Sequence, residues 1–169
     1  MEFSRKIEID RLPPSGEAVH ELVAAEAERT ALAWRFALLA LDRFEARVTL
    51  LRLAGGLLRL TGELSADVVQ ECVVTLEPVA SRVEDRFILL YGHGQDERGE
   101  VVLAGEAELV EPIAGGTLDI GDAVAQQLSL ALDPYPRAPT APDVADVESD
   151  NGSGAASPFA ALAKWKEKG

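Results

Sequence analysis

The amino-acid sequence predicts an α+β protein, in which an antiparallel β-sheet of about five or six strands is packed by helices. Apolar residues recur with a period of two from Phe44 to Ala66 and from Val79 to Tyr91, as in strands with one buried face. Apolar residues recur with helical spacing near 17–38 and 120–132. A change in composition after Leu132 predicts a flexible acidic linker and a short C-terminal helix beyond the sheet.

The N-terminal region is predicted to form a strand followed by two helices. Residues 3–10 alternate in polarity, which favours a strand that ends before Pro13. Ser15 is a suitable N-cap for a first helix, and a second short helix is predicted from about Thr30 to Leu38. The apolar residues that the first helix would carry are Val19, Leu22, Val23 and Ala27.

The middle of the chain predicts a β-hairpin around Ala54-Gly55-Gly56. A two-residue Gly55-Gly56 loop would pair Leu50 with Thr61, an apolar with a polar residue. A three-residue loop instead pairs Leu50 with Leu60, and residues of similar or complementary character then face each other throughout. We therefore expect the three-residue loop, which also pairs Arg47 with Glu63.

The remaining elements follow the same patterns. A strand is predicted over 79–91, then a polar loop over 92–100 and short strands over 101–103 and 107–110. Asp119 is placed to cap a helix from Ile120 to Leu132.

Three segments organise the chain: a single α+β domain over 1–132, a flexible acidic linker over 133–157 and an amphipathic C-terminal peptide over 158–169. The linker has five acidic residues, one basic residue and few large apolar side chains, so little burial is available to offset its ordering entropy. In the terminal peptide Phe159, Leu162, Ala163 and Lys166 have helical spacing, and the segment is basic. A short amphipathic peptide at the end of a linker is typical of a docking element.

Composition excludes several classes of protein. The 16 basic and 29 acidic residues give a net charge of −13, which disfavours non-specific binding to phosphate backbones and anionic lipid. One cysteine excludes an internal disulfide bond. The first residues reach charge at once and no apolar run approaches the length of a membrane span, so we expect a cytoplasmic protein.

No arrangement of residues predicts catalysis, a metal or a cofactor. Cys72 has no histidine near it in sequence and is expected to be a small buried residue. His93 precedes acidic residues in a polar loop, where a solvated loop is the simpler interpretation. The acidic pairs and the glycine pairs are explained by composition, capping and turns. We therefore expect no enzyme activity.

Two groups of residues are candidates for binding a partner. Arg59, Arg82 and Arg86 are predicted to lie on one sheet face, where they form either a local nucleic-acid contact or ordinary cross-strand pairs with neighbouring acids. The second group belongs to the terminal peptide: Pro158, Phe159, Leu162, Lys164, Trp165 and Lys166.

Three segments in order resemble the YceD family, the large ribosomal RNA subunit accumulation proteins. They are residues 68–79, residues 118–132 followed by two prolines, and the terminal motif 158–166. The family pattern often has a second cysteine three positions after the first and a His or Cys after the Pro-x-Pro. Those positions are Thr75, Arg137 and Ala138 in this chain, and Cys72 alone cannot hold a structural zinc ion.

The resemblance implies a non-enzymatic factor that supports accumulation of large-subunit (23S) ribosomal RNA and ribosome assembly. Genes of the family often neighbour that of a small zinc-ribbon ribosomal protein. The expected partner is ribosomal RNA, a large-subunit ribosomal protein or both, and the acidic charge favours a basic protein. The alternative is a protein-docking adaptor unrelated to ribosomes, which would use the C-terminal peptide.

Overall fold

The computed structural model describes residues 3–92, 110–113 and 115–142. Seven strands and two α-helices lie in these ranges, with 3-10 turns at Ile9–Arg11 and Ala54–Gly56. The elements in chain order are β1 (Lys6–Glu8), β2 (Glu17–Val23), α1 (Glu26–Arg35), β3 (Ala40–Arg52), β4 (Leu58–Glu71), β5 (Pro78–Gly92), β6 (Val110–Pro112), β7 (Thr117–Asp119) and α2 (Ile120–Ala131).

The main sheet has five strands in the order β2-β3-β4-β5-β6, and β1 pairs with β7 in a separate two-stranded sheet. The α+β class is therefore confirmed. The pairing of β5 with β6 is parallel, whereas the other pairings are antiparallel, so the main sheet is mixed rather than purely antiparallel. The short parallel strand follows a long connection from β5, as parallel pairing requires.

The predicted register of the β3–β4 hairpin is confirmed. Leu50 pairs with Leu60, and Arg47 pairs with Glu63. The N–H of Leu53 donates to the carbonyl of Leu57 at 2.8 Å, which leaves a three-residue loop. Gly55 in this loop has a φ of 77°, a conformation that glycine adopts without steric cost.

The first predicted helix is wrong, because residues 17–23 form strand β2. The spacing of Val19, Leu22 and Val23 fits one face of a helix, yet residues 17–23 also alternate in burial when the segment pairs with β3. Pairing along a long neighbouring strand therefore overrides the local pattern. The helix predicted from about Thr30 begins earlier, at Glu26, and the N-terminal strand is limited to Lys6–Glu8.

The core lies on one face of the main sheet, against α1, α2 and the β1–β7 pair. Gly62 on β4 shows how closely this face is packed. A Cβ atom on Gly62 would lie 2.2 Å from Cζ of Phe87 on β5, so the absence of a side chain makes room for the phenyl ring. The position explains why a glycine occupies the interior of a long strand.

Helix α2 begins at the predicted residue. The carboxylate of Asp119 accepts hydrogen bonds from the backbone N–H groups of Gly121 at 3.1 Å and Asp122 at 3.2 Å. It also accepts from the N–H of Arg5 at 2.8 Å and from the hydroxyl of Ser4. One side chain therefore caps the helix and attaches the N-terminal segment to it.

Two compact units divide the chain, Met1–Ala138 and Pro139–Gly169. The first unit extends past the predicted domain end at 132, because residues 133–138 hydrogen-bond to the end of β4 and the turn that follows. The predicted strands over 101–103 and most of 107–110 lie outside the described residues, as do most of the linker and the terminal peptide.

Candidate functional site: the open face of the sheet and the Cys72 knuckle

The face of the main sheet opposite the core, which we name the open face, carries charged side chains in cross-strand rows. Its register places Glu21, Arg47, Glu63 and Arg86 side by side across β2, β3, β4 and β5. The charges in this row alternate, which is the favourable arrangement for neighbours on a sheet. A second row places Arg43, Asp67 and Arg82 in the same alternation.

The three candidate arginines lie on this face but do not form one basic patch. Arg86 Nε lies 3.1 Å from Glu63, and Arg82 Nε lies 2.9 Å from Glu84. Arg59 is the second residue of β4, and its neighbours on the adjacent strands are Leu51 and Leu90. In the part of the chain that the structure describes, it has no ion pair. Arg86 is therefore paired across strands with Glu63, whereas Arg82 is paired with Glu84 on its own strand and also lies 4.0 Å from Asp67 on β4.

A groove of about 830 Å³ crosses strands β2 to β5 along these rows. Five acidic residues and two arginines line it, and the side chains of both arginines and of every acid except Asp85, which pairs with the core residue Leu64, lie on the open face. The acidic residues of the groove are Glu21, Glu45, Glu63, Glu84 and Asp85, and the basic residues are Arg47 and Arg86. The surplus of negative charge suits a cationic ligand better than a phosphate backbone.

A second feature, which we name the Cys72 knuckle, consists of residues 72–77 and 133–138. The backbone N–H groups of Ala138, Thr75 and Val74 donate to the Sγ atom of Cys72 at 3.2, 3.4 and 3.5 Å. The N–H of Val73 donates to the carbonyl of Pro136 at 2.9 Å. Thr75 and Ala138, two of the positions named in the sequence analysis, thus converge on Cys72, and they contribute backbone N–H groups.

These hydrogen bonds lower the pKa of Cys72 to about 6, with the N–H of Ala138 as the largest cause. The thiol side chain is buried, as the sequence predicted. Within the described residues, no group of three or more His, Cys, Asp or Glu side chains is placed to hold a metal ion. The knuckle therefore joins its two segments by hydrogen bonds from main-chain N–H groups to a sulfur atom.

The exposed apolar side chains were missed by sequence reasoning, because periodicity does not show which apolar residues stay uncovered. Leu76 is 68% exposed and Tyr135 is 74% exposed, and both belong to the Cys72 knuckle. Leu76 also has a φ of 61°, which is rare for a branched side chain. Trp34 on α1 is 87% exposed, although a tryptophan in a predicted amphipathic helix is ordinarily a core residue.

The six candidate residues of the terminal peptide lie outside the described residues, so the structure does not test their placement. Comparison with known families does include them. A family model described as large ribosomal RNA subunit accumulation protein YceD matches residues 60–166. The chain belongs to this family.

The match with the YceD family begins within β4 and includes β5, the Cys72 knuckle and α2. The match begins after β1, β2, α1 and β3. Of these elements, β3 pairs with β4, in which the match begins. No curated protein and no solved structure matches the chain. No helix among the described residues has both the length and the apolar content needed to cross a membrane.

Proposed function

We propose that this chain is a non-enzymatic factor that supports accumulation of large-subunit (23S) ribosomal RNA by binding a component of the large ribosomal subunit. The match of residues 60–166 to the YceD family supports the proposal, because the family description names large ribosomal RNA subunit accumulation, and binding is the means that we propose for it. The match includes β4 from residue 60, β5, α2 and residues 158–166 of the terminal peptide.

The charge distribution supports a basic ribosomal protein as the direct partner. The groove on the open face has more carboxylates than guanidinium groups, and its Arg86 is already paired with Glu63. An RNA backbone would meet net repulsion there, whereas a lysine- or arginine-rich protein segment would be attracted. The net charge of −13 likewise attracts a basic protein and repels RNA at longer range.

The proposal of a non-enzymatic role rests on the environment of the groups that catalysis would need. Cys72 is the strongest nucleophile candidate, and its sulfur is enclosed by backbone N–H groups. Asp119 is occupied in capping α2 and in holding the N-terminal segment. Each side chain therefore has a structural task.

The test is affinity purification of the tagged full chain from cells of its source, with and without nuclease. We expect large-subunit ribosomal proteins in both eluates, since a protein partner survives removal of RNA. Ribosomal proteins present only without nuclease would indicate binding through RNA. An eluate free of ribosomal components under both conditions would contradict the proposal and favour a docking adaptor that uses the C-terminal peptide.

A further inference from the structure

Strand β2 forms an edge of the main sheet, and no described strand pairs with its outer side. The N–H of Ala24, just beyond β2, donates to the carbonyl of Phe44 at 2.9 Å. Because backbone direction alternates along a strand, the even-numbered residues of β2 bond towards β3 and the odd-numbered residues direct their backbone groups outward. The outward groups belong to Glu17, Val19, Glu21 and Val23.

The far end of this edge is closed by an arginine. Arg5 Nη2 donates to the carbonyl of Val23 at 3.4 Å, which agrees with the outward direction of the odd-numbered residues. Arg5 also holds Glu28 through two hydrogen bonds, at 2.7 and 3.0 Å, so its position is fixed by α1. The edge that remains available for backbone pairing therefore runs from Glu17 to about Leu22.

The side chains beside this edge define what an added strand would have to carry. The alternating row of the open face reads Arg86, Glu63, Arg47 and Glu21, and it ends on an acidic residue at the free edge. Glu17 lies four residues before Glu21 on the same face, and Val19 lies between them, 46% exposed. A basic residue opposite each glutamate, with an apolar residue between, would continue the pattern of the sheet.

We propose that β2 pairs with an extended, lysine- or arginine-rich segment of a partner protein, which adds a sixth strand to the sheet and places basic side chains opposite Glu17 and Glu21. Backbone hydrogen bonds supply affinity, and the spacing of the basic residues supplies specificity. This inference deepens the proposed function and rests on it for the identity of the partner as a ribosomal protein. Strand β2 precedes the region matched by the family model.

Charge argues against the two other occupants of such an edge. A second copy would bring another chain of net charge −13 and a second pair of edge glutamates to the same place. An RNA strand offers no backbone pattern that pairs with a β-edge, and its phosphates would face Glu17 and Glu21. Both occupants remain outcomes of the test.

The probe is a fluorescent nonapeptide, Thr-Lys-Thr-Val-Thr-Lys-Thr-Val-Thr, whose two lysines have the spacing of Glu17 and Glu21. Its binding to the full chain is measured by fluorescence anisotropy at low salt. A scrambled peptide of the same composition, with its lysines adjacent, is the control for non-specific attraction. We expect the patterned peptide to bind at least fivefold more tightly than the scrambled one, and equal binding would overturn the proposal.

Charge variants of the protein test whether Glu17 and Glu21, on the open face beside the β2 edge, contact the peptide. Glu17→Gln with Glu21→Gln should weaken binding of the patterned peptide about tenfold, as expected for loss of two cross-strand charge pairs. Glu71→Gln with Glu111→Gln changes the net charge equally at exposed sites on β4 and on β6, the opposite edge strand, and should leave affinity within about twofold. Equal effects of the two double variants would overturn the proposal.

Backbone pairing is tested without altering the protein. Two further peptides carry N-methyl groups on alternate residues, one on the threonines and one on the lysines and valines. Only one of these sets faces β2, so one methylated peptide should lose binding and the other should keep it. Retention of binding by both peptides would overturn strand addition.

Other occupants give distinct results. A large-subunit RNA fragment that binds while the peptide does not, or dimers that Val19→Pro disperses in sedimentation velocity, would overturn the proposal in favour of RNA or a second copy. In the affinity purification above, equal recovery of ribosomal proteins by wild type and by the Glu17/Glu21 variant would overturn the edge site and leave the proposed function standing. Loss of all ribosomal components from the wild-type eluate would overturn the proposed function, while the peptide assay still reports on the edge.

Discussion

Gly62→Ala should destabilise the protein by about 1–3 kcal/mol, the usual cost of overpacking a core. A Cβ atom at this position would lie 2.2 Å from Cζ of Phe87, whereas ordinary contact begins near 3.4 Å. The phenyl ring must therefore move by more than an ångström, or β4 and β5 must separate locally. Both responses disturb residues that are buried in the core.

Equilibrium unfolding in urea, followed by circular dichroism, measures this loss. Thr61→Ala is the matched control, because Thr61 is exposed on the open face of the same strand, and it should change stability by no more than about 0.5 kcal/mol. Phe87→Leu should destabilise the wild-type protein, and the same change in the Gly62→Ala background should cost about 1 kcal/mol less, since the smaller side chain leaves space for the new methyl group. Wild-type stability of Gly62→Ala, or full additivity in the double variant, would refute this account of the sheet packing.

Four further predictions concern the N-terminal ion pair, the Cys72 knuckle and the tail. Hydrogen bonds from Arg5 hold the pKa of Glu28 below its usual 4.5, so Glu28→Gln should cost about 1–3 kcal/mol at neutral pH, and the difference from wild type in urea unfolding should shrink as pH falls below about 4. Since the pKa of Cys72 is lowered to about 6 from 9.0, wild-type stability should rise with pH across that interval, and Cys72→Ser should abolish this rise in unfolding midpoints. Elemental analysis of the purified protein should show no stoichiometric zinc, and about one zinc per chain would contradict the knuckle described above. Truncation after Ser157 should leave the melting temperature unchanged while ribosomal partners are lost, and a lower melting temperature with partners retained would show instead that the peptide belongs to the core.

The parts of the fold that the sequence predicted are those in which local and long-range signals agree. The β3–β4 register followed from matching residue character across the hairpin, as in the pair of Leu50 with Leu60. The cap at Asp119 followed from its position before a helical pattern, and the structure adds its bond to Arg5. In each case only one register or one helix start satisfied both the local sequence pattern and the pairing of residue character.

The errors arose where one local pattern fits two structures. Val19 and Leu22 have a spacing that is compatible with a helix. Only pairing with the neighbouring strand β3 makes this segment the strand β2. For Arg82 and Arg86 the sequence left two interpretations open, and the ion pairs with Glu84 and Glu63 were visible only once the strands were placed side by side. The convergence of Ala138 on Cys72 likewise depends on the path of the chain after α2, which periodicity does not contain.

The most direct test of the central claim is the ratio of large- to small-subunit ribosomal RNA in cells that lack this chain. We expect the ratio to fall, and expression of the full-length wild-type chain to restore it. We also expect weaker restoration by the Glu17→Gln, Glu21→Gln variant at equal protein level. An unchanged ratio in cells without the chain would contradict the account.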